Sequence, residues 1–269
     1  MAHKTKDEIV RTDIKYSMLQ RIIIRADFTS MLDLDATVSD INRQGWFKNK
    51  FSNYEQLLLK PVNEDKPRKD NTEEIKEQYI KRFSDCNIAP EKGVILDIAN
   101  NFMTIDIRCD EHYTTIDDYL SLAVDIISHI ISVDSYVRLE RIAIRKTDGM
   151  ETIGGEKADE VFEYFSQGVT KDDEEFSYRT YTDSFTHKEN NVKTHFNRTV
   201  RVIKGEKPKF IFILDIDAFL DRELLENRRP GRDELWDVFY KRINDTTFEL
   251  FKRGVKEEFL NSILINQND

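Results

Sequence analysis

Between Gly93 and Arg108 the chain reads GVILDIANNFMTIDIR, two apolar stretches set around Asn100-Asn101. Asn accepts positive φ more readily than most residues, so the pair suits a tight turn, and the two arms read as a β-hairpin. Each arm has one apolar side. A sheet built from such strands must have helices over that side, which points to an α+β fold of antiparallel strands packed on helices.

The rest of the chain supplies both kinds of element. Met18 to Phe28 carries three consecutive isoleucines, which favours a strand buried on both faces. Thr37 to Leu58 is expected to be helical with irregular parts, because Trp46, Phe47, Phe51, Tyr54 and Leu57 recur at spacings of one, three and four. Pro61 to Asn71 reads as an exposed loop. Thr72 is placed to cap a helix marked by Ile75, Tyr79 and Phe83. Thr114 or Thr115 opens the clearest helix, with Ile116, Tyr119, Leu120, Ala123, Ile126, Ile127 and Ile130 as its stripe. A strand returns over Tyr136 to Arg145. A short helix at Glu156 to Phe165 precedes strands near Phe176 to His187, Lys193 to Ile203 and Lys209 to Asp217. Helices from Asp233 and from Val255 to Ile265 close the chain. Both halves run from apolar strand to acidic strand end, polar loop and helix. The expectation is two meander-plus-helix repeats in curved antiparallel sheets, divided as 1–150 and 151–269.

Composition restricts the partners. The formal net charge is −10, from 51 acidic and 41 basic side chains, and a chain this negative is repelled by phosphate backbones unless its cations concentrate on one face. Nucleic acid is therefore disfavoured. Cys86 and Cys109 form no CxxC or Cys/His spacing, so no zinc cage is expected, and two lone thiols suit a reducing cytosol. No apolar run approaches the ~20 residues of a membrane span, and the N-terminus lacks a signal-peptide pattern. A cytoplasmic protein with no cofactor is expected.

Asp215-Ile216-Asp217 is the sharpest local motif. Two carboxylates two residues apart on a strand point the same way, about 6–7 Å apart, a spacing that suits a divalent cation or a nucleophile with its acid partner. A haloacid-dehalogenase phosphatase motif starts in this way. Here Phe219 stands where that motif needs Thr or Val, and too little chain follows. The structural alternative has one Asp capping a turn and the other paired with a base. Arg145 is the natural counter-ion and is expected to meet Asp217. His129 is spaced to pair with Asp125 one turn earlier on its helix. His187 and His195 flank a turn at Asn190-Asn191 and are placed to face each other. Gly154-Gly155 lacks the Lys-Ser/Thr of a phosphate loop and reads as a turn. Arg228, Arg229 and Arg232 surround Pro230-Gly231, with Arg222 before them and Lys204, Lys207 and Lys209 on the far side of the preceding strand. This is the main basic concentration on an acidic chain, suited to an acidic partner or a phosphate, or else a solvated loop.

Several stretches resemble a sporadically distributed bacterial and archaeal family of about this length to which no activity is assigned. They are LQRIIIRADF, NNFMTIDIRCDEHYTTIDDYLSLA, RLERIAIRKTDG, FIFILDIDAF and FELFKRGVKEEF. The third is similar to a family strand ending in Leu-Arg-Tyr-hydrophobic-Asn, of which Arg145 matches while Lys146 and Asp148 replace Tyr and Asn. The fourth is similar to its Asp-hydrophobic-Asp strand. The family's His in the penultimate helix has no counterpart. The resemblance implies the same fold, and the family's patchy distribution implies mobile or defence-associated genes.

No complete catalytic constellation assembles, so the chain reads first as a binding or interaction protein with a cleft for a ligand or partner. Exposed edge strands would favour a homodimer or a protein partner. One alternative is a metal-dependent hydrolase or nuclease using Asp215 and Asp217. The other is a nucleic-acid-binding module using the Arg228–Arg232 loop.

Overall fold

A computed structural model describes residues 3–14, 18–59, 78–88, 93–109, 115–153, 158–163, 178–189, 191–203 and 209–264. The fold is α+β. Among the described residues there are nine strands, which include the hydrogen-bonded runs β2-β3-β4-β5 and β9-β8-β7. They are β1 (Leu19–Phe28), β2 (Phe51–Leu59), β3 (Gln78–Cys86), β4 (Ile95–Ala99), β5 (Phe102–Arg108), β6 (Leu139–Ile153), β7 (Tyr178–Glu189), β8 (Val192–Ile203) and β9 (Lys209–Asp221). The ladders β2 to β5 and β7 to β9 are antiparallel throughout. The chain groups into two compact units of non-consecutive segments, one of residues 24–142 and 225–236, the other of residues 1–23, 143–224 and 237–269.

In the first unit the β4–β5 hairpin forms as expected, with Ala99 opposite Phe102. Neither Asn100 nor Asn101 takes a positive φ; Asn191, at the β7–β8 turn, does, at 59°. Buried positions alternate strictly along β5 and along β4 as far as Ile98, the sign of a strand with one dry face, and Ala99 at the turn is buried as well. Helix α2 (Asp117–Val133) buries Tyr119, Leu120, Ala123, Ile126, Ile127 and Ile130, the stripe the spacing predicts. The hydroxyl of Thr115 accepts from the Asp117 amide at 3.3 Å, at the start of this helix.

Three expectations need correction. The isoleucines of β1 are not buried on both faces: Ile22 and Ile24 are fully buried, while Ile23 between them is partly exposed. The stretch Thr37 to Leu58 is not one helix. Helix α1 (Leu34–Arg43), capped by Asp33 through the Ala36 amide, ends early, and Phe51 onward is strand β2. The helix expected over Ile75, Tyr79 and Phe83 is strand β3 where it is described; residues 72–77 lie outside the described residues. A spacing of four is also twice the strand period of two, and the intervening inward position is Lys81, whose charge hides the alternation.

In the second unit the helices cover one face of β8 and β9. Helix α3 (Ala158–Val161) is followed in sequence by the buried Phe162, and the closing region comprises a π-helical segment (Val238–Asn244), α5 (Asp245–Gly254) and α6 (Glu257–Ser262), while α4 (Arg232–Asp237) lies almost wholly in the first unit. Phe196, Val200, Phe212, Leu214 and Ile216 from the strands form one core with Leu250, Phe251, Val255, Phe259 and Leu260. Burying each such side chain contributes roughly 1.5–3 kcal/mol, so the core holds the helices on the sheet. Gly254 marks their closest approach: a Cβ there would lie 2.5 Å from Phe196 Cζ.

Candidate functional site

The aspartates of β9 stand on its wetter face, because Leu214, Ile216 and Ala218 between and beside them are fully buried. Arg145 of β6 reaches Asp215, not the expected Asp217. Its Nε donates to Oδ1 at 2.8 Å and its Nη2 to Oδ2 at 2.7 Å, a bidentate pair that fixes the plane of both groups. Donation to the Asp215 carboxylate is the main effect raising the Arg145 pKa, against desolvation, and the charges of Asp215 and Asp217 add to it. The Arg145 side chain is 51% exposed, so the pair contributes modestly to stability.

Beside this pair lies a buried carboxyl that the sequence reading noted only as a departure from a family motif. Asp148 of β6 is buried, and desolvation pushes its pKa up to about 7; the Lys146 charge opposes the rise and Asp215 adds to it. Lys146 donates to Asn244 Oδ1 at 2.6 Å. Asn244 closes the π-helical segment, and its carbonyl accepts from Arg11 at 2.8 Å and from the Thr247 hydroxyl at 2.6 Å. The extra residue of a π turn leaves carbonyls to be satisfied by side chains, which these donors do. Both oxygens of Asp215 are taken up by Arg145. Among the described residues, no group of three or more His, Cys, Asp or Glu side chains comes together as a ligand set.

The histidines are distributed by tertiary contacts. Cross-strand register sets His195 opposite Thr186 and Asp217, and His187 opposite Thr194, so His187 and His195 do not occupy facing positions. His129 bonds Asp40 of α1 at 2.8 Å, and its expected partner Asp125 accepts from Arg232 at 2.7 Å instead. Neither cysteine is in a disulfide; Cys86 is buried and Cys109 partly so.

The arginine loop is tied down within its own unit. Arg228 donates to the Leu139 carbonyl at 2.9 Å and pairs with Glu140. Arg229 donates to the carbonyls of Ile131, Asp134, Ser135 and Val137 at 2.5–3.1 Å, capping the C-terminal end of α2 with a cation where the helix dipole is negative. Asp134 completes this junction. Burial raises its pKa, but the amides of Leu32, Tyr136 and Val137 and the Arg229 charge outweigh that and leave it lowered. Lys209 pairs with Glu151, while Lys204, Lys207 and the Gly154-Gly155 turn lie outside the described residues.

A second candidate surface lies on the β2–β3 ribbon. Tyr54, Gln56 and Leu58 of β2 face Phe83, Lys81 and Tyr79 of β3 across one side of the ladder. At one end α1 covers that side. There Lys81, nearly fully buried, bridges Asp35 of α1 and Gln56, and Phe83 meets Phe47, Phe51 and Tyr54 at ring separations of 5.1–5.8 Å. A groove of about 270 Å3 opens between helix and ribbon, lined among others by Asp35, Asn42, Phe51, Tyr54 and Lys81. At the other end Leu58 is 48% and Tyr79 37% exposed, and Tyr54, at the groove end, is 55% exposed. The sequence reading assigned this ribbon to helices and missed the surface. The usable signal was Tyr54-x-Gln56-x-Leu58 at strand spacing.

No protein-family model matches the chain, and no curated protein matches it. No helix among the described residues is long and apolar enough to cross a membrane.

Proposed function

We propose that this protein is a binding protein that accepts an extended polypeptide strand along the edge that β2 forms among the described strands. The observation that carries this reading is the character of that edge. Among the described strands β2 stands last in its ladder; it is nine residues long and has one charged residue, Glu55, in FSNYEQLLL. Edge strands are ordinarily blunted by lysines, prolines, bulges or shortness, because unpaired backbone N–H and C=O groups recruit other chains. β2 has little of this protection and adds the exposed apolar side chains of Tyr54 and Leu58.

A strand laid along β2 gains main-chain hydrogen bonds regardless of its sequence, and the side-chain sites beside it supply selectivity. Tyr54, Leu58 and Tyr79 present an apolar strip to alternate residues of the incoming strand. The groove under α1 offers a further site, with the Phe51 and Tyr54 rings beside the polar Asp35, Asn42 and Lys81. Randomised displayed peptides should test this when selected on the wild type and counter-selected on Leu58→Lys. The expected outcome is enrichment of alternating apolar, extended sequences. Recovery of nothing that depends on Leu58 would refute the reading.

A further inference from the structure

Resting on β2 as a strand-accepting edge, we infer that its partner is a second copy of this chain, paired antiparallel β2 to β2 about a two-fold axis at Gln56. The argument is one of register. An antiparallel self-pairing sets residue i opposite a fixed partner, so the sequence of β2 can be tested against each symmetric centre.

With the axis at Glu55, two carboxylates face each other directly, and like charges opposite one another are destabilising. With the axis at Leu57, Glu55 faces Leu59, and Tyr54 faces residue 60, so the exposed tyrosine loses its apolar partner within the strand. With the axis at Gln56, Tyr54 faces Leu58 of the partner, and Leu58 faces the partner's Tyr54. Both exposed apolar residues that β2 places on this side are thereby used, twice by symmetry. Gln56 faces Gln56, an uncharged amide pair able to donate and accept. Glu55 then faces Leu57, and the two Glu55 side chains stand diagonally at about 8 Å, each with the Arg82 of its own β3 directly across the ladder. Tyr54 also lines the groove under α1, so the partner's Leu58 adds apolar surface at its mouth.

The overlap covers residues 53–59 and forms about six to eight main-chain hydrogen bonds. A contact of this size without further area is at the small end of specific interfaces, so a reversible dimer is expected, not an obligate one. The two β2 strands would become neighbours within one continuous ladder.

The test is light scattering across a concentration series, together with disulfide trapping in a Cys109→Ser background. Facing residues in an antiparallel pair lie about 4.5–5.5 Å apart between Cα atoms, inside the range of about 4.4–6.8 Å that a disulfide spans. Gln56→Cys should form a covalent dimer on mild oxidation and Glu55→Cys should not. Leu58→Lys, or Tyr54→Arg as a second variant, should abolish the non-covalent dimer while leaving the circular-dichroism spectrum and melting midpoint unchanged. Trapping at residue 55 but not at 56 would overturn the register. A wild type that stays monomeric at every concentration would overturn the second copy. In that case peptides still selected through Leu58 would leave the strand-accepting edge standing, and the absence of any such peptide would remove both.

Discussion

Asp148 gives the most direct quantitative test of the charged cluster on β6. Its carboxyl sits near 7 in the folded protein against 3.8 for the ordinary group, chiefly because burial penalises the ionised form. A carboxyl with a raised folded pKa binds its proton more tightly in the fold than in the unfolded chain. Its contribution is therefore fully present below about pH 4, declines as pH rises, and levels off above about pH 7. At 1.36 kcal/mol per pH unit the loss across that window is about 4 kcal/mol, a large share of the 5–15 kcal/mol typical of a folded domain. Asp148→Asn has nearly the same shape and no titration. Urea midpoints of both proteins between pH 4 and 8.5, with the slopes checked for equality, give the difference directly. The variant should gain on the wild type steadily between pH 4 and 7, by about 4 kcal/mol in total. Lys146→Met should shift the pH window of this loss upward, because the Lys146 charge opposes the rise in the Asp148 pKa, and Asp215→Asn should shift it downward. A wild-type minus variant difference that stays flat from pH 4 to 8 would refute the desolvation argument.

Three further outcomes follow from the packing and the arginine loop. Arg229→Ala leaves several carbonyls at the end of α2 without their cationic donor and should cost about 2–3 kcal/mol in chemical denaturation. Arg229→Lys should not restore it, since one ammonium cannot replace the planar fork of donors. Gly254→Ala sets its methyl against the buried Phe196 ring and should lower stability by about 1–2 kcal/mol, despite the better helix propensity of Ala, as a fall in melting temperature. A double-mutant cycle on Arg145 and Asp215 should return a coupling of about 0.5–1 kcal/mol that weakens in high salt, because the arginine is half exposed.

What could be read directly from the sequence was whatever a local pattern decides. The stripe of α2 was legible because its apolar residues keep the helical period, and the β4–β5 hairpin because two short apolar arms flank Asn100-Asn101. The charge of the Asp215-Ile216-Asp217 strand and its pairing with some cation were legible too. Tertiary structure decided the rest. Lys81 occupies a buried strand position because Asp35 and Gln56 satisfy its charge, and no local pattern announces that. Arg145 meets Asp215 instead of Asp217, and His129 meets Asp40 instead of Asp125, because strand neighbours and packed helices fix which groups come within reach. The arginines at Pro230-Gly231 look like a basic patch in one dimension, but in three Arg229 caps the end of α2 while Arg228 and Arg232 pair with Glu140 and Asp125, partners some ninety or more residues away in the chain. Periodicity sets which side of an element is dry; only the meeting of distant segments sets which charges are neutralised there and which strand edge is left open.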